Sequence, residues 1–139
     1  MKESVPDTFY RVSSKALVFD ETREKFLIIK EDNGYWELPG GGLDWGESVV
    51  ENIKREVKEE MGLTVLEVST TPSYYMIGEN MSGNMSLNLV FESKIENFDD
   101  FTPTDECVEM KFVTPQEALG MNSWRNVKEL ATQLAQTKS

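Results

Sequence analysis

No histidine occurs in the 139 residues, and Cys107 is the lone cysteine. An intrachain disulfide is therefore impossible, and a reducing compartment is compatible with the chain. With no imidazole to serve as its base, Cys107 reads as a small core residue on a strand rather than a nucleophile. Positive charge is scarce: 14 Lys and Arg stand against 25 Asp and Glu, a net charge of −11. That balance argues against a nucleic-acid groove, which needs clustered Lys and Arg to neutralise phosphates. A polyphosphate ligand would need metal ions and a few local cations to approach. Long apolar runs are also missing, so no membrane span is expected. Met1 to Thr8 carries acids and a proline where a secretory signal would be basic and then apolar. A cytoplasmic location is the resulting expectation. With 39% hydrophobic and 28% charged residues the composition is globular. No repeat, low-complexity segment or linker divides residues 1–139, which read as a single domain.

What is present is concentrated between Gly41 and Leu63. Val49, Val50, Ile53, Val57 and Met61 recur at spacings of three and four and predict a helix from Glu47 to Met61. Asp44 with Glu47 three residues later resembles a capping box. Gly62 suits a left-handed cap, and Leu63 can supply its apolar contact. On a wheel with Glu47 at zero, the apolar arc runs from roughly 200° to 320°, with Glu60 near 220°, Glu56 near 180° and Glu59 near 120°. The solvent side centres on Arg55, near 80°. Three acids thus drift toward the core, two of them in the last turn, where the helix dipole disfavours negative charge. They repel one another unless a cation or shared protons compensate. A divalent hard cation, of which Mg²⁺ is the common case with phosphate ligands, accounts for their placement. It also accounts for Gly40, Gly41 and Gly42, since glycine lets a backbone carbonyl from Gly40 or Gly41 approach such an ion closely.

Gly41, five residues, Glu47, seven residues and then Arg55-Glu56-Val57-Lys58-Glu59-Glu60-Met61-Gly62-Leu63 matches at every defined position the signature of the Nudix hydrolases, which this stretch resembles. Softer likeness extends to Trp36-Glu37-Leu38-Pro39-Gly40-Gly41 and to Val113-Thr114-Pro115-Gln116-Glu117-Ala118-Leu119.

Phe9 to Phe19 reads as a strand, Phe26 to Ile29 as a buried central strand, and Tyr35 to Leu38 as a brief one before the glycine loop. Leu63 to Ile77 reads as one long or two short strands, Gly78 to Asn84 as a loop, Met85 to Glu92 as a half-buried strand, and Glu96 to Glu106 as an acidic loop. Val108, Met110 and Phe112 predict a last strand, Thr114 and Pro115 a helix start, and Val127, Leu130 and Leu134, extended to Trp124, a closing helix. Strands with few long helices suggest an α/β fold with a mixed sheet between helices. The resemblance makes this an α/β/α sandwich with a mixed β-sheet.

The resemblance implies hydrolysis of a nucleoside diphosphate linked to another moiety, with Mg²⁺ or Mn²⁺ required. Carried over by motif position, Glu56, Glu59 and Glu60 are the metal ligands, Gly40 offers its carbonyl, and Glu56 or Glu59 acts as base. Arg55 can brace a row of carboxylates from Glu51 to Glu59, and Glu47 is structural. Because three glutamates on one helix ring an ion from one side only, an opposing acid is expected from Thr104 to Glu109, with Glu106 favoured over Glu109. Candidates for stacking a base are Phe9, Tyr10, Trp36, Tyr74 and Tyr75, each also explicable as core, and Arg11 or Arg23 could touch phosphate no more selectively than Lys15 or Lys30. In the family a proline or a tyrosine some distance past the box accompanies ADP-ribose or dinucleoside polyphosphate substrates. This chain has Glu79, Asn80 and Met81 there. A small nucleotide, a nucleoside triphosphate or a nucleotide sugar, is the expected partner, with neither nucleic acid nor membrane and with a homodimer allowed for. A module that binds a nucleotide without cleaving it is the competing class, although it would be expected to lose box carboxylates. Glu60→Gln should nearly abolish turnover while leaving thermal stability in metal-free buffer unchanged or raised. A fully active variant, or one clearly less stable without metal, would contradict the placement of Glu60 in the apolar arc.

Overall fold

The computed structural model describes residues 8–137. The polar lead-in read for Met1 to Asp7 lies outside them. Eight strands and three helices follow in the order β1 (Arg11–Leu17), β2 (Phe26–Lys30), β3 (Trp36–Glu37), β4 (Gly40–Gly42), α1 (Val49–Met61), β5 (Thr64–Val68), β6 (Tyr74–Glu79), β7 (Met85–Glu96), β8 (Glu109–Val113), α2 (Pro115–Leu119) and α3 (Arg125–Thr137). The long β7 is the spine. It pairs in parallel with β1 along one edge and antiparallel with β6 and β5 along the other, while β4 closes the far side of β1. A second, antiparallel sheet runs β3-β2-β8.

The expected mixed sheet is thus split in two. Between β3 and β4 the chain passes through Pro39, which has no N–H for a ladder, and β4 opens on Gly40 at φ +121°. Single bonds, such as Ala16 N–H to the Pro39 carbonyl and Leu27 N–H to the Val18 carbonyl, tie the two sheets together.

Each face of this framework is covered. Phe26 and Ile28 of β2 join Leu17, Val90, Val127, Leu130 and Leu134 under α3, whereas Leu27 and Ile29 join Ala16, Phe91, Ile53, Val57 and Met61 under α1. A continuous apolar run is what a strand buried on both faces requires. The same two-sided burial explains β7, where Val90 and Phe91 are both buried and enter different clusters, so the strict alternation read from its sequence gives way.

Several boundaries differ from expectation. Helix α1 begins at Val49, with Ser48 as cap: its hydroxyl accepts from Glu51 N–H and the Glu51 carboxylate accepts from Ser48 N–H. Glu47 does accept from Asp44 N–H, but the Asp44 carboxylate is paired with Arg55, and only Ser48 with Glu51 completes both halves of a box. Gly78 and Glu79 belong to β6, and the turn that follows is held by the Asn80 side chain, which accepts from Ser82 and Asn84 N–H. β7 runs on to Glu96, and Phe98–Asp100 forms a single 3-10 turn inside the acidic stretch. Cys107 precedes β8 rather than lying on a strand, but it is fully buried. Trp124 stands just outside α3, stacked on Tyr35 at 4.4 Å. Thr114 and Pro115 do start α2, with a second capping box to Glu117.

Replacing Ser48 by Ala removes the hydroxyl half of the α1 cap and should cost about 1 kcal/mol of unfolding free energy in chemical denaturation, with the m-value unchanged. A loss indistinguishable from zero would mean that the box does not hold the first turn.

Candidate active site

Helix α1 lies across β4, β1 and β5, and its C-terminal half carries the acids to the seam between the two sheets. Their arrangement is organised by Arg55, which is not on a solvent-centred face as the wheel suggested but is two-thirds covered. Its Nε and Nη2 donate to the two oxygens of Glu47 at 2.7 and 3.1 Å, and its Nη1 donates to Glu59 at 3.1 Å. Glu56 stands 3.2 Å and Asp44 3.4 Å from the same guanidinium. Glu47 is thereby held as the ionised anchor: its bonds from Arg55, and secondarily from Asn52, bring its carboxyl down to about 2. Glu51, foreseen as a second partner of Arg55, is taken by the helix cap.

The wheel's ordering of the other three carboxylates matches their burial. Glu60 is buried, Glu56 half-buried and Glu59 exposed. Oxygens of Glu56, Glu59 and Glu106 lie within 4.8 Å of one another. Glu106 reaches this trio from the loop before β8, and Glu109, the alternative, is not in it. The loop is pinned by the Thr104 hydroxyl, which donates to the Glu60 carbonyl at 2.8 Å. Burial raises the Glu56 carboxyl above its ordinary value; Arg55 opposes the rise and Glu59 reinforces it.

Glu60 stands apart from the trio. Its Oε1 accepts from Gly40 N–H at 3.1 Å, and burial pushes its carboxyl up to about 8, against the pull of Lys15 and of that hydrogen bond. Gly41 next to it leaves room for the Glu56 carboxylate: a Cβ there would sit 2.7 Å from it and push it aside. Two polar residues that the sequence did not single out complete the support. Asn52, wholly buried on α1, accepts from the Ser14 hydroxyl and donates to the Gly42 carbonyl at 2.8 Å and to Glu47 at 3.0 Å. Their only signal was a polar residue inside an apolar stripe.

A cavity of about 520 Å³ adjoins the acids through Lys15, whose charge acts on Glu56 and Glu60, although none of the four acids lines it. Arg11, Ser13 and Lys15 line its floor, alternate residues of β1, with Ser86 and Asn88 of β7 alongside. Glu31 and Glu37 come from the second sheet, Asn80 and Met81 from the β6–β7 turn, and Trp124, Arg125 and Asn126 from the start of α3. None of the five aromatic candidates for stacking a base lines it. Trp36 is core, as the alternative for each of them had it, Phe9, Tyr10 and Tyr75 are exposed, and the Tyr74 hydroxyl meets Thr137. The cavity's aromatic wall is Trp124, which donates to Glu31. Arg11 and Lys15 reach the cavity, whereas Arg23 pairs with Glu92 elsewhere and Lys30 lies over Trp36.

The NUDIX domain family model matches residues 9–135. This chain belongs to the Nudix hydrolases. It is similar to a MutT-like protein of Streptomyces ambofaciens, 32% identical over 116 residues, or 84% of this chain and 71% of the relative. A nucleoside triphosphatase of Escherichia coli is 44% identical over 39 residues, 28% of each chain. Among solved structures, the MutT protein of Methanosarcina mazei superposes with a TM-score of 0.78 at 22% identity, over 97% of this chain and 99% of that one. The fold of this Nudix hydrolase is thus the family's, and its acidic trio belongs to the segment that carries the family signature together with the loop facing it. No helix among the described residues is long and apolar enough to cross a membrane.

The raised Glu60 carboxyl has a thermodynamic consequence. Between its ordinary value of 4.5 and about 8 the folded protein binds the proton more tightly than the unfolded chain, so stability must fall as pH rises through that window. In metal-free buffer the unfolding free energy should decline from pH 5 to 8 by more than about 1 kcal/mol, since one pKa unit corresponds to about 1.4 kcal/mol. Glu60→Gln should flatten the decline. Parallel profiles for the two proteins would refute the assignment.

Proposed function

We propose that this Nudix hydrolase is a Mg²⁺-dependent pyrophosphohydrolase of small nucleotides, cleaving a nucleoside diphosphate linked to another moiety, with a nucleoside triphosphate or a nucleotide sugar as the substrate class. The observation that carries the reading is the meeting of Glu56, Glu59 and Glu106 within 4.8 Å beside a nucleoside-sized cavity whose floor presents Arg11 and Lys15. Hard oxygen donors on opposite sides fit a Mg²⁺ or Mn²⁺ ion, and Glu60 with the Gly40 carbonyl stands next to them as further ligands. When bound, such an ion neutralises the diphosphate and lowers the pKa of water. The rest falls to the chain itself. Arg55 holds Glu56 and Glu59 in register. Glu56, raised by burial, has the proton affinity to orient the attacking water and take its proton. Arg11 and Lys15 meet the phosphates that continue into the cavity, and Trp124 offers the face against which a base can lie. The similarity to a nucleoside triphosphatase over 39 residues supports the substrate class.

Incubation with Mg²⁺ and a panel of nucleoside triphosphates, nucleotide sugars and dinucleoside polyphosphates, with detection of nucleoside monophosphate or phosphate, tests the reading. Absence of turnover on every member would favour a nucleotide-binding module instead. Once a substrate is found, Glu106→Gln should lower the rate at least about tenfold, the usual scale for loss of a group engaged in the transition state, or raise the Mg²⁺ needed for half-maximal rate. Glu109→Gln should leave both unchanged. Equal curves for the two variants would remove Glu106 from the site.

A further inference from the structure

Lys15 and Glu60 are the two buried charged side chains among the described residues. They meet on one peptide segment. Glu60 accepts from the Gly40 N–H at 3.1 Å, while Lys15 Nζ donates to the Gly40 carbonyl at 3.3 Å. Gly40 sits at φ +121°, and a Cβ there would collide with the Ser14 backbone, so only glycine brings this backbone so close to β1. The other neighbour of Lys15 is Glu37, at 3.8 Å. Lys15 is nonetheless part of the cavity floor, and its positive charge acts on both Glu56 and Glu60.

A buried ammonium is retained only where it is compensated. Here the compensation comes from the Gly40 carbonyl, which would also serve a divalent ion, and from the Glu37 carboxylate at 3.8 Å. Lys15 therefore stands where two demands alternate: without metal it neutralises the inner edge of the acidic cluster, and with metal it faces a second cation across Gly40. A four-carbon stem rooted on a cavity-facing strand position can swing its head away from that carbonyl and into the cavity. The path of any diphosphate running from the carboxylates into the cavity passes this point.

We propose that Lys15 is an internal stand-in for the metal that becomes a diphosphate ligand: its ammonium holds the Gly40 carbonyl in the metal-free protein and turns to the substrate's diphosphate when a divalent ion takes that carbonyl. The inference rests on the acidic trio being a divalent-ion site. It assigns Lys15 two effects of opposite sign, competition with the ion and attraction of the phosphate. A residue that merely supported the fold would weaken both kinds of binding when lost.

The test uses the full chain and two probes that do not depend on the base: Mn²⁺ alone, followed by electron paramagnetic resonance, and methylenediphosphonate added to Mn²⁺-saturated protein, followed by calorimetry. Lys15→Met should bind Mn²⁺ several-fold more tightly than the parent chain and bind methylenediphosphonate about tenfold more weakly, the scale of one lost charge contact. Lys15→Gln, which can still donate to Gly40, keeps the question decidable if the Met variant does not fold, and should shift both affinities in the same directions. Lys15→Arg should keep phosphonate binding near the parent value. Metal affinity that falls or stays equal in the folded neutral variants would overturn the stand-in role. Unchanged phosphonate affinity, or none in the parent chain, would overturn the ligand role. A parent chain that fails to bind Mn²⁺ would instead bring down the metal-site reading itself.

Discussion

One guanidinium holds the acidic end of this molecule together. Arg55 is bonded or paired to Glu47, Glu59, Glu56 and Asp44, which come from two turns of α1 and from the loop before it. A single delocalised, permanently charged fork can satisfy several carboxylates in fixed directions, which a lysine could not. Because Glu47 takes two of the fork's donors, the remaining face is turned toward Glu56 and Glu59, and these acids hold a defined separation despite their repulsion. The loop between β4 and α1 is fastened by the same contact, since Glu47 also accepts from Asp44 N–H and from Asn52.

The second constraint is the closeness of backbone to side chain at the seam between the sheets. Gly41 lies against the Glu56 carboxylate, and Gly40 is bonded by Glu60 on its N–H and Lys15 on its carbonyl. Buried charges are costly unless paired or hydrogen-bonded, and here Glu60 has the Gly40 N–H while Lys15 has the Gly40 carbonyl and Glu37. The same density is what makes the place useful. Raised carboxyls, an acid from a pinned loop and a cation on the cavity floor are brought together within one small region.

Much of this was legible along the chain because it is local. The placement of Glu60, Glu56 and Glu59 from buried to exposed follows from the helical repeat alone, and the caps at Gly62 and Thr114 follow from residue types within one turn. Where local rules failed, two candidates competed for one role. Asp44 and Ser48 both suit the start of α1; Glu47 does accept from Asp44 N–H, but the Asp44 carboxylate is paired with Arg55, and only Ser48 with Glu51 closes both halves of a box. The alternation of β7 failed because helices cover both faces of its sheet, a property of the assembled layers and not of the strand.

Taken by itself, the sequence determined the family signature, the helix that carries it, the acids on that helix and the absence of histidine, cysteine pairs and surplus positive charge as tools for any mechanism. Each is a matter of composition or of spacing within a few turns. Tertiary structure alone decided that Glu106 and not Glu109 faces Glu56 and Glu59, that Trp124 and none of the five aromatic candidates walls the cavity, and that Arg11 and Lys15 rather than Arg23 and Lys30 line its floor. Those residues lie tens of positions apart, and which of several equivalent side chains reaches a site is set by strand register and loop path. These long-range pairings leave no periodic mark on the chain.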